Sequence, residues 1–314
     1  MRIEILFWNA IEHRLRAFWR LAVFLVVAAV PANLAVLALD ATDVALLERS
    51  LRNPLVAAAF MLALWVNARY VERRPMADFG LQHSSRWWRD LLGGLSIGTI
   101  AACLLALVAI AIGAAEITGG MHNDLPETYF ALAWTGQLIR YAGGSLFEEI
   151  MSRAILLRII AETIRGPRMG RRGAVVWAWL GTSLIFGALH FANPNASVQS
   201  VLTLTALGAF FGLGMVLTGS LAIPVGAHLA WNVCLNCVFG IPNSGQLPHA
   251  TLLTTSLHGP KWLTGSAFGL EGGLLCLGAA GVGALLTLGW VRWSTGHAGI
   301  HTKLADPPQM GNPI

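Results

Sequence analysis

Runs of about 20 apolar residues, the length that spans a bilayer core as a helix, recur from just after Arg20 to Trp290 and leave little chain for anything else. With every backbone N–H and C=O needing an internal partner in lipid, such runs must be helices packed together. The chain therefore reads as an all-α, polytopic transmembrane helical bundle with about eight spans. Of its 314 residues, 55% are hydrophobic and 12% charged, which leaves no room for a sizeable soluble domain. A net charge of +5 would in a soluble protein raise nucleic-acid binding, but the basic residues flank apolar runs and act there as orientation signals. The bilayer is the expected partner, and no nucleic acid is.

In order, residues 1–17 form a basic, amphipathic N-terminal segment with Arg2, Arg14 and Arg16, and residues 18–127 hold the first three spans. Residues 128–240 carry spans four to seven, 241–293 a polar Gly/Pro-containing loop and the last span, and 294–314 a tail expected to be disordered. The first apolar run exceeds the ~7–15 residues of a signal-peptide core and reads as a retained span. Arg-rich loops follow spans two and four, whereas the loops after spans three and five contain no Lys or Arg. Both termini are therefore expected in the cytoplasm, and the compact, apolar chain is expected in a bacterial inner (plasma) membrane. Cys103, Cys234, Cys237 and Cys276 all fall in apolar stretches; Cys234 and Cys237 form a CxxC without a second pair, which reads as buried reduced thiols.

Ionisable residues inside spans are costly and mark functional sites. The stretch Tyr141 to Leu157 contains Glu148, Glu149 and Arg153. Glu149 and Arg153 are four apart with the acid N-terminal, the favoured ion-pair orientation on a helix. Glu148 is rotated by about 100° from Glu149 and has only Ser152 one turn on, so it is the acid free for chemistry. Of the histidines, His190 and His228 fall in or at the end of apolar runs. His228 and Asn232 are four apart on one helix face, as are Phe186 and His190. If these faces converge, one carboxylate, two imidazoles and an amide suit either a zinc-like metal with an open water position or direct activation of water. Asn232 would ligate the metal or donate to an oxyanion.

Three motifs carry a resemblance. EEIMSR matches an EExxxR pattern, FGALH an FxxxH pattern and HLAWN an HxxxN pattern, in the order found in the CAAX prenyl protease and bacteriocin-processing (CPBP, or abortive-infection) family of intramembrane proteases. The resemblance covers roughly residues 144–233 and includes the approach LTGSLAIPVGAH to the third motif. It implies hydrolysis of a peptide bond in a membrane-associated protein or peptide. Carried over by position, Glu148 and His190 would activate water, His228 and Asn232 would complete a metal or oxyanion site, and Glu149 with Arg153 would support them. A divalent metal, zinc first, bound by Glu148, His190, His228 and Asn232 is the expected cofactor; a metal-free glutamate mechanism is the variant. Ser152-Arg153-Ala154 stands where the family usually shows Phe-Arg-Gly.

Other intramembrane proteases fit less well. No HExxH is present, the aspartates read as loop or tail residues, and Ser145 has Glu149 rather than a base one turn on. Two other classes use the same residues: an ion- or proton-coupled carrier with Glu148, His190 and His228 as a relay, and a non-catalytic immunity or scaffold protein.

Overall fold

The computed structural model describes residues 4–10 and 12–308; Arg2 and the last six residues of the expected tail lie outside them. Helix α1 spans Ala17–Asp40 and α2 Ala45–Glu72, the last turns of which are π-helical from Asn67. Helix α3 spans Ser85–Ala111, α5 Gly170–Leu189, α6 Val198–Thr218 and α8 Leu275–Thr295. These six are long and apolar enough to cross a membrane. Helix α7, Ala222–Val238, is apolar but shorter. Helix α4 runs without a break over residues 130–164, α-helical over Phe130–Glu149, π-helical over Ile150–Leu157 and α-helical again over Arg158–Ile164. The eight expected spans thus correspond to six membrane-length apolar helices, one shorter helix and one long helix carrying charge.

The helices have apolar residues on both the packed and the outward faces, as lipid requires. Helix α1 presents Leu25, Val26, Leu34 and Leu37 outward while Phe24 and Ala28 are buried. One core is built by α3, α6, α7 and α8 around Leu105, Phe210, Phe211 and Trp231; a second is built by α1, α2, the later half of α4 and α5 around Phe24, Ile150, Ile155 and Leu157.

The tightest seam joins α3 and α7, and it follows from a GxxxG spacing. A Cβ on Gly94 would lie 2.5 Å from the Ile223 carbonyl, and one on Gly98 would overlap the Ala227 carbonyl. Two glycines one turn apart therefore let α7 settle backbone to backbone, the membrane mode of helix packing. His228 is the next residue along α7.

Three segments depart from the sequence reading. The connection after α3, read only as a loop without Lys or Arg, forms strand β1, Ala115–Asn123, which pairs antiparallel with β2, Ala250–Leu257, in the loop after α7. The register runs from Ala115 opposite Leu257 to Asn123 opposite Ala250, with a bulge between Ile117 and Gly119. Asp90 lies inside α3 rather than in a loop, buried and accepting a hydrogen bond from Trp290 Nε1 at 3.0 Å. The tail is not disordered through residue 308. Leu304 and Ala305 are buried, the His301 N–H donates to the Val216 carbonyl at 2.8 Å, and Asp306 meets Arg165 at 2.8 Å and Arg171 at 2.9 Å. Its few apolar residues found a groove beside α4 and α5 that no helical periodicity could announce.

Candidate active site

Helix α4 delivers Glu148 and Glu149 on adjacent positions just before its π-helical stretch, and π-turns within helices often mark functional sites. The Glu149 side chain is fully buried and makes two contacts: Oε2 lies 3.2 Å from Arg153 Nε, and Oε1 accepts from His228 Nδ1 at 2.8 Å. Arg153 in turn donates to the Gly208 carbonyl on α6 at 2.7 Å and lies 4.9 Å over the Phe186 ring. A buried carboxylate is tolerable only when paired and hydrogen-bonded, and here Arg153 of the same helix and His228 of α7 supply its partners, while α6 holds Arg153 through the Gly208 carbonyl.

His228 is held on several sides. Its Nδ1–H is spent on Glu149, its ring stacks on Phe211 at 4.4 Å with 13° between planes, and Phe186 meets it edge-on at 5.8 Å. With the proton on Nδ1, Nε2 is left as an acceptor pointing toward Glu148, 3.7 Å from Oε2. This corrects the partition read from sequence: His228 spans both carboxylates, and its short hydrogen bond goes to Glu149.

Glu148 Oε2 is buried and has no hydrogen-bond partner in the protein. The carboxylate faces a cavity of about 100 Å³ that it shares with His190, His228 and Asn232. On the scale of ~10–15 Å³ needed to seat one water, several fit. His190, at the end of α5, donates from Nδ1 to the Phe186 carbonyl at 2.8 Å, so its Nε2 is also an acceptor. The Asn232 side chain is committed in part: Nδ2 donates to Ser145 Oγ at 3.3 Å, and Oδ1 accepts from Asn243 at 2.9 Å. One amide hydrogen of Asn232 is left for the cavity.

The metal donor set expected from the motifs is not assembled. Among the described residues no group of three or more His, Cys, Asp or Glu side chains is close enough to hold a metal ion. Of the four, Glu148 and His228 come within 3.7 Å of one another, and the Asn232 oxygen that would serve a metal already accepts from Asn243. As placed, these residues do not fit a resident metal. Cys234 and Cys237 are buried free thiols.

Sequence reasoning missed the wall contributed by the loop after α7. Glu271, buried just before α8, accepts from Trp231 Nε1 at 2.6 Å and from the N–H and hydroxyl of Ser244 at 2.6 and 2.8 Å. It pins residues 243–244 onto α7 beside Asn232. The only sequence signal was an acid in a Gly-rich apolar stretch, which reads as the end of a span.

Residues 130–234, which run from the start of α4 into α7 and include Glu148, Glu149, Arg153, His190, His228 and Asn232, match the Rce1-like family, described as type II CAAX prenyl endopeptidase Rce1-like. The chain is 26% identical to the uncharacterized protein YyaK of Bacillus subtilis (strain 168) over 206 residues, 63% of this chain and 64% of YyaK, so the match spans just under two thirds of that relative. No solved structure matches. This is an integral membrane protein whose segment 130–234 is similar to the Rce1-like, type II CAAX prenyl endopeptidase family.

Proposed function

We propose that this chain is an intramembrane endopeptidase in which Glu148 is the general base toward a water molecule held in the cavity it shares with His190 and His228. One observation carries the reading: Glu148, whose Oε2 is buried without a hydrogen-bond partner in the protein, lines one cavity with two imidazoles whose free nitrogens are both acceptors. Such a group is positioned to take a proton rather than to stabilise the fold. In the reaction, the water oxygen attacks the carbonyl carbon of the scissile peptide bond and its proton passes to Glu148. The protonated Glu148 then gives that proton to the leaving nitrogen as the C–N bond breaks. His190 Nε2 accepts the second water hydrogen and orients the nucleophile. The free amide hydrogen of Asn232 donates to the developing oxyanion. Glu149 and Arg153 fix the His228 ring and touch no substrate. No step runs through a metal.

The substrate class is a membrane-associated protein or peptide, and the enzyme sits in a bacterial inner membrane with both termini in the cytoplasm. The Arg-rich loops then face the cytoplasm, and the site lies toward the opposite end of the bundle, beside Asn193, Asn243 and Ser244.

The test is cleavage of a peptide library by purified protein in detergent, with metal content measured on the same sample. Glu148→Gln is expected to lower cleavage by about 10²–10⁴-fold, the usual worth of a positioned base, with helix content and membrane insertion unchanged. Wild-type cleavage is expected to persist in EDTA. Full activity in Glu148→Gln would sink the proposal; chelator-sensitive cleavage restored by zinc would move it to a metal mechanism. Glu148-dependent transport without cleavage would make the protein a carrier.

A further inference from the structure

The end of the bundle with the Arg-rich loops holds a second buried charge cluster, which the catalytic proposal does not use. Arg14, Arg20, Arg74 and Arg158 are 3–5% exposed, and the carboxylates that meet them at similar depth are Glu72 and Glu162. Arg14 lies 2.7 Å from Glu72 and 2.9 Å from Glu162; Arg20 lies 2.7 and 3.1 Å from the same two acids. Arg74 reaches Glu162 at 2.5 Å, whereas Arg158 comes only within 3.9 Å of it. Glu12, more exposed, meets Arg14 alone at 2.6 Å. Four buried guanidiniums thus share two buried carboxylates. Unbalanced buried charge is costly, so the cluster calls for an anion.

The excess charge faces a cavity. A hollow of about 540 Å³ opens between the loop after α2, the corner at Gly219 and the tail, and Arg73, Arg74, Arg158, His301 and Lys303 line it. Arg158 donates to the Asp78 carbonyl, while its Nε is buried without a partner. Both carboxylates on the wall already have cationic partners, Asp78 with Arg74 of the same wall. Asp306 bridges Arg165 and Arg171, and Asp78, 44% exposed, lies 3.7 Å from Arg74. Among the described residues, no carboxylate comes within salt-bridge reach of Arg73 or Lys303, both exposed on the rim.

We propose that this cavity binds a phosphate-bearing anion, with Arg158 at its base and Arg73 and Lys303 at its mouth. Guanidinium forks suit phosphate oxygens better than a point-charge anion. The hollow is larger than phosphate alone needs, so the bound species carries a further group. The site lies where helix ends meet the membrane surface, and basic pockets there take lipid head groups. A soluble phosphate ester offers the same chemistry.

Full-length protein in neutral detergent is titrated with inorganic phosphate against chloride at matched ionic strength, reading the unfolding midpoint. A ligand that binds only the folded state raises that midpoint in a saturable way. The concentration for half the effect is expected to rise about tenfold or more in Arg158→Gln and in Arg73→Gln/Lys303→Gln, since charge-assisted bonds are lost. Native mass spectrometry after extraction from phosphatidylglycerol/phosphatidylcholine nanodiscs separates the sources. Selective retention of phosphatidylglycerol assigns a lipid head group, and a phosphate response without it assigns a soluble ester. If Arg158→Gln does not fold, the rim double variant decides. No phosphate effect beyond chloride together with no lipid selectivity, or an effect equal in wild type and rim variant, overturns the proposal.

Discussion

Arg153 shows what a single buried side chain does here. It neutralises Glu149, caps the Gly208 carbonyl and lies against Phe186, so truncating it leaves a carboxylate buried and half-satisfied. Arg153→Met is expected to cost about 3–5 kcal/mol, the range for breaking one side of a buried pair. The double variant Glu149→Gln/Arg153→Met should cost less than the sum of the singles, because neither then leaves a naked charge. Reversible unfolding in mixed detergent checks both, and additive costs would show the two side chains to be energetically independent. These residues were legible in the sequence because charge in an apolar run is costly and needs a partner, and because i, i+4 spacing names that partner. Glu271, Asn243 and Ser244 were not. Asn243 and Ser244 are polar residues in a polar loop and Glu271 an acid at the edge of an apolar stretch, and only the fold shows that Trp231 and Asn232 receive them.

Among the elements, the α3–α7 seam decides where His228 stands. Gly98→Val would push α7 away at Ala227 and is expected to destabilise by roughly 1–3 kcal/mol, as overpacking does. It should also reduce cleavage more than a surface change of equal stability cost, because the next residue carries the imidazole. Comparing it with Gly278→Val, whose added Cβ would meet nothing within 4 Å, separates a seam effect from a helix-propensity effect. The existence and order of the helices were readable from hydropathy, since length and apolarity alone define a span, whereas the polar first turns of α2, Ala45 to Asn53, were not. Strands β1 and β2 were not, because β1 carries two glycines, β2 is a short Thr- and Leu-rich run, and each finds its pairing partner more than 100 residues away. The π-helical stretch of α4 also left no mark in composition.

Across the whole molecule, the tail ties the chain's end to its middle. His301 packs over Gly219, and its imidazole is held below the usual histidine value, first by burial and then by Arg158 and Lys303. A lowered folded-state value means the neutral ring is the docked form. Docking is therefore complete above the unfolded value of about 6.5 and weakens as pH falls through the folded one. Hydrogen exchange of residues 297–308, corrected for intrinsic rate, should be faster at pH 5 than at pH 7.5, and His301→Leu should remove most of that difference. Equal exchange at both pH values would mean that the tail is held by Leu304, Ala305 and Asp306 alone. The sequence hid this docking because a polar tail of 19 residues past the last apolar helix carries no periodicity for a groove to be inferred from.

The space around Glu148 also bears on timing. About 100 Å³ seats a few waters but not a polypeptide strand. On the proposed reading, every substrate must wait for the walls to part. The loop anchored by Glu271 to Trp231 is the wall with the fewest helical restraints, so its release is the natural slow event of the catalytic cycle. Such an enzyme turns over at the frequency of that opening rather than at the speed of bond cleavage. Changing the scissile residue would then alter kcat little, whereas changing bilayer thickness or lateral pressure would alter it a great deal.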